Sequence, residues 1–164
     1  LLSIILECNM GDKGLARGPN SMAFPGLKSC TKHLAIEDKL ASTTTDPDFP
    51  DSFAIDGNTL TRWAAKGIGS WIRLWLGGGV KDICRVDIYW YNGNARKYNF
   101  VIEKSSLPDS SYISVFSGKS SGTTVGFESY NFPITSAKYV RITVNGNTEN
   151  EWASIYELNV YGPV

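Results

Sequence analysis

Hydrophobic and polar residues alternate along most of this chain, whereas helical periodicity is almost absent. Alternation with a period of two places one face of each strand against a core and the other face in solvent. Polar turns rich in glycine, asparagine and serine separate the alternating segments, which favours an antiparallel β-sandwich or barrel. The predicted strands are 70–76, 83–90, 98–103, 112–117, 129–132, 139–144 and 155–161.

The alternation also predicts which side chains face the core. Trp63 and Trp90 are predicted core tryptophans, whereas Asp87 and Glu103 fall at positions typical of a strand surface. Trp75 falls on the face opposite its apolar neighbours, where it would cover the domain edge, pack under the N-terminal segment or meet a partner domain. The other predicted core residues are Ile72, Leu74, Leu76, Cys84, Val86, Ile88, Tyr98, Phe100, Ile102, Ile113, Val115, Tyr130, Phe132, Val140, Ile142, Val144, Leu158 and Val160.

The first 30 residues differ from the rest, because glycine and proline interrupt them and no periodic pattern runs through them. They are predicted to form an N-terminal extension or flap, followed by one domain over residues 31–164. The apolar run 1–6 is too short to span a bilayer and is interpreted as a strand, an ordered flap or a remnant of processing. Cys8 and Cys30 could close a disulfide across the extension, whereas Cys84 is interpreted as a buried thiol.

Composition and motifs argue against several classes of function. Sixteen basic and sixteen acidic residues cancel, so the chain lacks the positive charge that nucleic acids and anionic membranes attract. The only histidine is His33. Residues 118–122 match the G-x-S-x-G pattern of hydrolases, but they lie in a Ser/Gly-rich loop and no histidine follows them. These features argue against an enzyme.

Six motifs in fixed order resemble those of a known family: AIDGNTLTRWA, GSWIRLWLG, VDIYW, YNFVIEKSS, YVRITVNGN and WASIYELNVYG. From about residue 28 onward the chain resembles a discoidin, or coagulation factor 5/8 type C, domain. It is most similar to the prokaryotic modules grouped with carbohydrate-binding module family 32. Trp75 departs from the pattern, because the family usually has an aspartate there.

The resemblance implies an all-β jelly-roll sandwich without catalytic residues, whose tip loops bind a glycan and which commonly holds a structural calcium ion. Such a module would lie outside the cell or at its surface. It would be appended to a catalytic or surface domain and would anchor that domain to polysaccharide.

The segment FAIDGNTLTRW, residues 53–63, is the candidate calcium turn. Calcium takes about six to eight oxygen ligands, and a turn with Asp56, Gly57 and Thr61 concentrates carboxylate, carbonyl and hydroxyl oxygens. The resemblance supplies a second carboxylate from Glu157. The alternative is an Asp-Gly turn capped by Asp56, with Glu157 in solvent. Carried over from the family, the ligands are Phe53, Asp56, Asn58, Thr61, Tyr156 and Glu157.

Three loops carry side chains suited to a glycan. Lys66 and Arg96 together would favour a sugar with a carboxylate, because arginine makes bidentate contacts to carboxylates. Similar modules accompany lyases that act on uronate polymers, which favours the same ligand. Arg96 could instead be structural, the asparagines could be turn formers, and Trp152 could pack internally. The candidate ligand-binding residues are Lys66, Tyr91, Asn92, Arg96, Asn147, Asn150 and Trp152.

Two other functions are weighed against glycan binding. Discoidin-type domains of coagulation factors insert hydrophobic tip residues into phospholipid, but the tip loops here offer only Ile68 as an aliphatic side chain of that kind. A protein–protein adhesion domain would use Trp75 and residues 1–6 as its contact surface.

Overall fold

A computed structural model of the chain describes residues 28–164. Ten strands and one 3₁₀ turn, Asp51–Ala54, make up its regular structure. The strands are β1 (Lys32–Leu34), β2 (Asp38–Ala41), β3 (Trp63–Lys66), β4 (Ser70–Trp75), β5 (Lys81–Trp90), β6 (Tyr98–Ser105), β7 (Ile113–Lys119), β8 (Phe127–Ala137), β9 (Tyr139–Asn147) and β10 (Trp152–Gly162).

The strands form two five-stranded antiparallel sheets packed face to face. One sheet has the order β1-β10-β5-β8, with β3 also paired to β10. The other has the order β2-β4-β9-β6-β7. This architecture confirms the predicted all-β sandwich, and all seven predicted strands are present. Strands β1, β2 and β3 escaped prediction because three or four residues are too few to show alternation.

The core lies between the sheets and contains both predicted tryptophans, Trp63 and Trp90. The predicted inward-facing residues are buried, apart from two on β7. Ile113 is exposed, so its assignment to the core was wrong, and Val115 is only partly buried against the core. Strand β7 is the edge of its sheet, which leaves one side of it open to solvent.

The cysteine pairing differs from the prediction. Cys30 and Cys84 form a disulfide, so the interpretation of Cys84 as a buried thiol was wrong. The sheet explains this pairing: β1 pairs with β10, which pairs with β5, and the segment before β1 thereby lies beside Cys84. Residues 1–27 of the predicted extension, including Cys8 and the run 1–6, lie outside the described residues. Within residues 28–164 no helix is long and apolar enough to cross a membrane.

Asp87 was expected at the surface but is 8% exposed. It lies on β5 between Asn159 of β10 and Ser129 of β8, and these neighbouring strands cover it. Its Oδ1 lies 3.0 Å from Nε of Arg85, although the two atoms lack the alignment of a hydrogen bond. The prediction failed because alternation identifies the outer face of a strand but not how densely its neighbours cover it.

The outer face of the second sheet carries paired arginines. Arg73 and Arg141 lie directly opposite each other on β4 and β9. Like charges in this position repel, and each guanidinium has its own carboxylate: Asp109 for Arg73 and Glu103 for Arg141.

Trp75 is half-buried on the same face of this sheet. With Tyr139, Asp38, Lys39 and Arg73 it lines a groove of about 210 Å³.

We expect removal of the Cys30–Cys84 disulfide to destabilise the domain. The bond closes a loop with a sequence separation of 54. A Cys30→Ala/Cys84→Ala variant should lose roughly 2–4 kcal/mol of unfolding free energy in urea titrations. Peptide mapping without reduction should recover the linked Cys30 and Cys84 peptides. Recovery of a Cys8–Cys30 link instead would contradict the pairing.

The Glu103 ion pair should give a pH-dependent contribution to stability. Burial by itself raises the pKa of Glu103, but hydrogen bonds from Arg141 and Thr143 and the charge of Arg141 outweigh it and lower the pKa. A lowered folded-state pKa stabilises the fold at neutral pH, and this stabilisation is lost as pH falls through that pKa. Glu103→Gln should therefore be less stable than wild type at pH 7.

Urea titrations at pH 7 and near pH 3 would measure this effect, since protonated glutamic acid and glutamine are close in charge and shape. The difference between wild type and Glu103→Gln should shrink at the lower pH. Exposed Glu149, replaced by Gln, is the matched control and should match wild type at both values. A difference that does not depend on pH would refute the assignment.

Candidate functional site

A cavity of about 330 Å³ opens at one end of the sandwich, between β3, β10 and the loops beside them. Its size is within the range of sites for small molecules. Pairing within the sheet brings its walls together. The Tyr91 N–H, directly after β5, donates a hydrogen bond to the Ser154 carbonyl on β10 at 3.1 Å. The lining residues are Asp46, Phe49, Arg62, Tyr91, Arg96, Asn150, Trp152 and Ser154.

Arg62 lies in the cavity wall between two aromatic rings. Its guanidinium carbon is 3.8 Å from the Phe49 ring centroid and 4.3 Å from that of Tyr91. Nη1 donates a hydrogen bond to Ser154 Oγ at 3.0 Å. Cation–π contacts of this kind stabilise a partly desolvated guanidinium and restrict its orientation. Arg62 is therefore a fixed cation with further N–H donors available to a ligand.

The loop between β5 and β6 supplies Tyr91 and Arg96. The Asn92 carbonyl accepts the N–H groups of Ala95 and Arg96, both at 2.9 Å. The Tyr98 hydroxyl donates to the Tyr91 carbonyl at 2.8 Å, and burial raises the pKa of Tyr98 to about 12 despite the nearby charge of Arg96. The guanidinium carbon of Arg96 lies 5.3 Å from the Tyr91 ring centroid.

Asn147 organises the loop that carries Asn150 and Trp152. Its Oδ1 accepts the N–H groups of Glu149 and Asn150, at 2.8 and 3.1 Å. Its Nδ2 donates to Asn150 Oδ1 and to the Trp152 carbonyl, both at 2.9 Å. The Asn147 amide is thus committed to the loop, as expected of a turn former, and lies outside the cavity lining.

The structure brings four of the seven candidate ligand residues into this cavity: Tyr91, Arg96, Asn150 and Trp152. Lys66 pairs with Trp152 across β3 and β10 and is exposed beside the cavity, outside its lining. Asn92 lines a separate depression.

Sequence reasoning missed Asp46, Phe49, Arg62 and Ser154 as members of this wall. Arg62 lies within the segment interpreted as a calcium turn, and Asp46 lies in a loop that contains Pro47 and Pro50. The available signal was that Arg62 sits at the entry to a strand, next to a core tryptophan. Because burial of an unpaired charge is costly, a charged side chain in that place should point away from the core, towards an edge of the sheet.

The candidate calcium turn folds around Asp56. Asp56 Oδ1 accepts the Asn58 N–H at 2.8 Å, and Oδ2 accepts the Thr61 hydroxyl at 2.7 Å. Glu157 Oε2 accepts the Gly57 N–H at 3.1 Å and so joins β10 to the turn. Glu157 is 6% exposed, which excludes the solvated alternative for this residue.

Two further features concern the surroundings of Glu157. Tyr156 is the extra residue of a bulge between the Ile155 and Glu157 pairings with β5, and a bulged residue leaves the ladder. Burial first, and then the charge of Asp56, raise the pKa of Glu157 to about 7. No described cation lies within ion-pair distance of Asp56 or Glu157. No cluster of three or more His, Cys, Asp or Glu side chains occurs among residues 28–164.

Comparison with known proteins identifies the family. The F5/8 type C domain family matches residues 39–158. The chain is 42% identical to the CBM32 of AlyQ in complex with 4,5-unsaturated mannuronic acid, with a TM-score of 0.73 over 78% of this chain and 96% of that one. Truncated AlyQ with CBM32 and alginate lyase domains is 39% identical, with a TM-score of 0.76 over 83% of this chain and 34% of that longer chain.

A pectin-binding carbohydrate-binding module is 26% identical, with a TM-score of 0.71 over 77% of this chain and 91% of that one. No curated protein matches the chain. The chain therefore belongs to the F5/8 type C domain family, and within it to the CBM32-like carbohydrate-binding modules. This confirms the resemblance, the sandwich fold and the prediction of a non-catalytic binding domain.

Proposed function

We propose that this module binds an acidic, uronate-bearing polysaccharide in the cavity at its tip. The observation that carries the proposal is the pair of guanidinium groups, Arg62 and Arg96, both beside the ring of Tyr91. No described carboxylate lies within ion-pair distance of either arginine. Their charges are thus directed to an anionic ligand rather than to the protein.

The chemistry of the wall suits a sugar carboxylate with neighbouring hydroxyl groups. A guanidinium presents planar donors that match a carboxylate, and the contacts of Arg62 with Phe49 and Tyr91 fix its plane in advance. Half-buried Trp152 offers an apolar surface against which a sugar ring can pack. Asp46 can accept hydroxyl hydrogens, and with one carboxylate against two guanidiniums the wall stays net positive.

The relatives support the same class of ligand. The AlyQ module was solved with 4,5-unsaturated mannuronic acid, and the other module is described as pectin-binding. We further propose that this module is part of a polysaccharide-degrading or surface protein outside the cell. The alginate lyase domain joined to the AlyQ module supports that arrangement, as does the disulfide, which is typical of oxidising compartments.

We also propose a structural calcium ion between the 53–61 turn and β10. Its support is Glu157, a buried carboxylate close to Asp56 with no described cation to neutralise the pair. Oxygen ligands and two carboxylates fit calcium, which would hold the turn against β10. The residues that would hold it are Phe53, Asp56, Asn58, Thr61, Tyr156 and Glu157, through carboxylate, carbonyl and hydroxyl oxygens.

Lipid binding is the competing function, because Leu60 is 88% exposed and Ile68 is 62% exposed. These are two single aliphatic side chains, whereas the cavity wall contains two arginines together with aromatic and hydrogen-bonding side chains. The glycan proposal therefore takes precedence, and phosphatidylserine vesicles serve as the comparison ligand in its test.

Replacement of Arg96 by Gln should weaken uronate binding by roughly 10- to 100-fold, because one charged hydrogen-bonding group is lost. Isothermal titration calorimetry with unsaturated mannuronate and galacturonate oligosaccharides would measure this. Lys81→Gln removes the same charge at the start of β5, away from the cavity, and should bind like wild type. Binding to phosphatidylserine vesicles or neutral galactosides, but not to any uronate, would overturn the proposal.

Calcium should stabilise the fold if the ion site exists. Excess calcium should raise Tm by roughly 5–10 °C over the chelated protein, measured by scanning calorimetry. Asp56→Asn should abolish that increase. Asp48→Asn, a change of the same kind in the neighbouring proline-containing loop, should keep it. An equal Tm with calcium and with chelator would rule out a stabilising ion.

A further inference from the structure

A second, shallow depression of about 110 Å³ lies at the end of β5 and the loop that follows it. The amide side chains of Asn92 and Asn94 and the rings of Tyr89 and Tyr156 contribute to its wall. No Lys, Arg, Asp or Glu lines it. Its chemistry therefore differs from that of the cavity, where two arginines and one aspartate face the ligand.

Contacting aromatic rings link the wall of the cavity to the wall of the depression. Tyr91 lines the cavity, and the next residue, Asn92, lines the depression. The Tyr91 and Tyr156 rings meet edge to face with centroids 5.6 Å apart, and Tyr156 meets Tyr89 in the same way at 5.1 Å. A ligand that leaves the cavity over Tyr91 would thus meet Tyr156 next.

The loop presents both amides to solvent. Asn92 adopts a left-handed backbone conformation, with a φ of 49°, that tightens the turn. Both asparagines are exposed, and their side-chain amides form no hydrogen bond with any described residue. A Cβ on Gly93 would lie 2.8 Å from the Thr124 carbonyl oxygen, so this loop packs closely against the loop between β7 and β8.

We propose that this depression is a second sugar subsite, which binds the neutral hydroxyl groups of the residue next to the uronate in the cavity. The inference rests on the proposed uronate function and extends it from a single sugar to a chain. Amide groups donate to and accept from hydroxyls, and the ring of Tyr156 offers an apolar face for the sugar. The module then recognises a stretch of polysaccharide rather than one residue.

Binding of uronic acid and of di- and triuronates of one series, measured by calorimetry, would test the subsite. Wild type should bind the triuronate at least roughly tenfold more tightly than the monosaccharide. An Asn92→Gly/Asn94→Ala variant should lose roughly three- to tenfold in triuronate affinity, because it loses two amide groups. Its affinity for the monosaccharide should stay within about twofold of wild type, since neither amide lines the cavity.

Glycine at position 92 keeps the left-handed conformation, so this variant should fold with an unchanged Tm. Asn94→Ala alone gives the same test without any backbone change. Asn131→Ala removes an exposed amide on β8 and should leave both affinities unchanged. Equal affinity of wild type for mono- and triuronate, or equal losses for both ligands in the variant, would overturn the subsite alone. Failure of every uronate to bind would overturn the proposed function together with it.

Discussion

The end of the sandwich that carries the proposed binding site depends on the packing of Trp90 between the two sheets. Trp90 ends β5 and stacks on Tyr98, the first residue of β6, with ring centroids 4.5 Å apart. Its Nε1 donates to the Tyr130 hydroxyl at 2.9 Å, and that hydroxyl donates to Glu128 at 2.7 Å. Every buried polar atom in this chain of contacts has a partner, so the tryptophan is held in one orientation. Both ends of the loop between β5 and β6 are thereby fixed.

From this fixed loop the rest of the site follows. Tyr91 leaves the core next to Trp90, and its ring gives Arg62 one of the two faces between which the guanidinium lies. Arg62 immediately precedes β3. It reaches the site because β3 pairs with β10. The rings of Phe49 and Tyr91 and the Ser154 hydroxyl hold the Arg62 guanidinium in place without a ligand. Binding of the proposed ligand would then require little ordering of this side chain, which favours affinity.

The sequence was sufficient for what depends on local pattern. Alternation located the long strands and the buried tryptophans because a half-buried strand repeats every two residues. It failed where pairing brings distant segments together. Nothing near Cys84 indicates that β1 and β10 bring Cys30 beside it, and nothing near Arg62 indicates Phe49 and Tyr91 as its partners. The family resemblance supplied Glu157. Periodicity alone would not have predicted that this residue is buried beside the turn around Asp56.

The proposed calcium site and the proposed glycan-binding cavity use the same two stretches of chain. The Thr61 hydroxyl donates a hydrogen bond to Asp56, and the next residue, Arg62, lines the cavity. On β10, Ser154 holds Arg62, and Glu157, three residues later, holds the turn. An ion that fixes Asp56 and Glu157 would therefore also fix the two backbone segments next to Arg62, which are the turn that precedes it and the part of β10 that contains Ser154. By linkage, a sugar that requires this position of Arg62 would bind more tightly to the calcium-bound form, and calcium more tightly to the sugar-bound form.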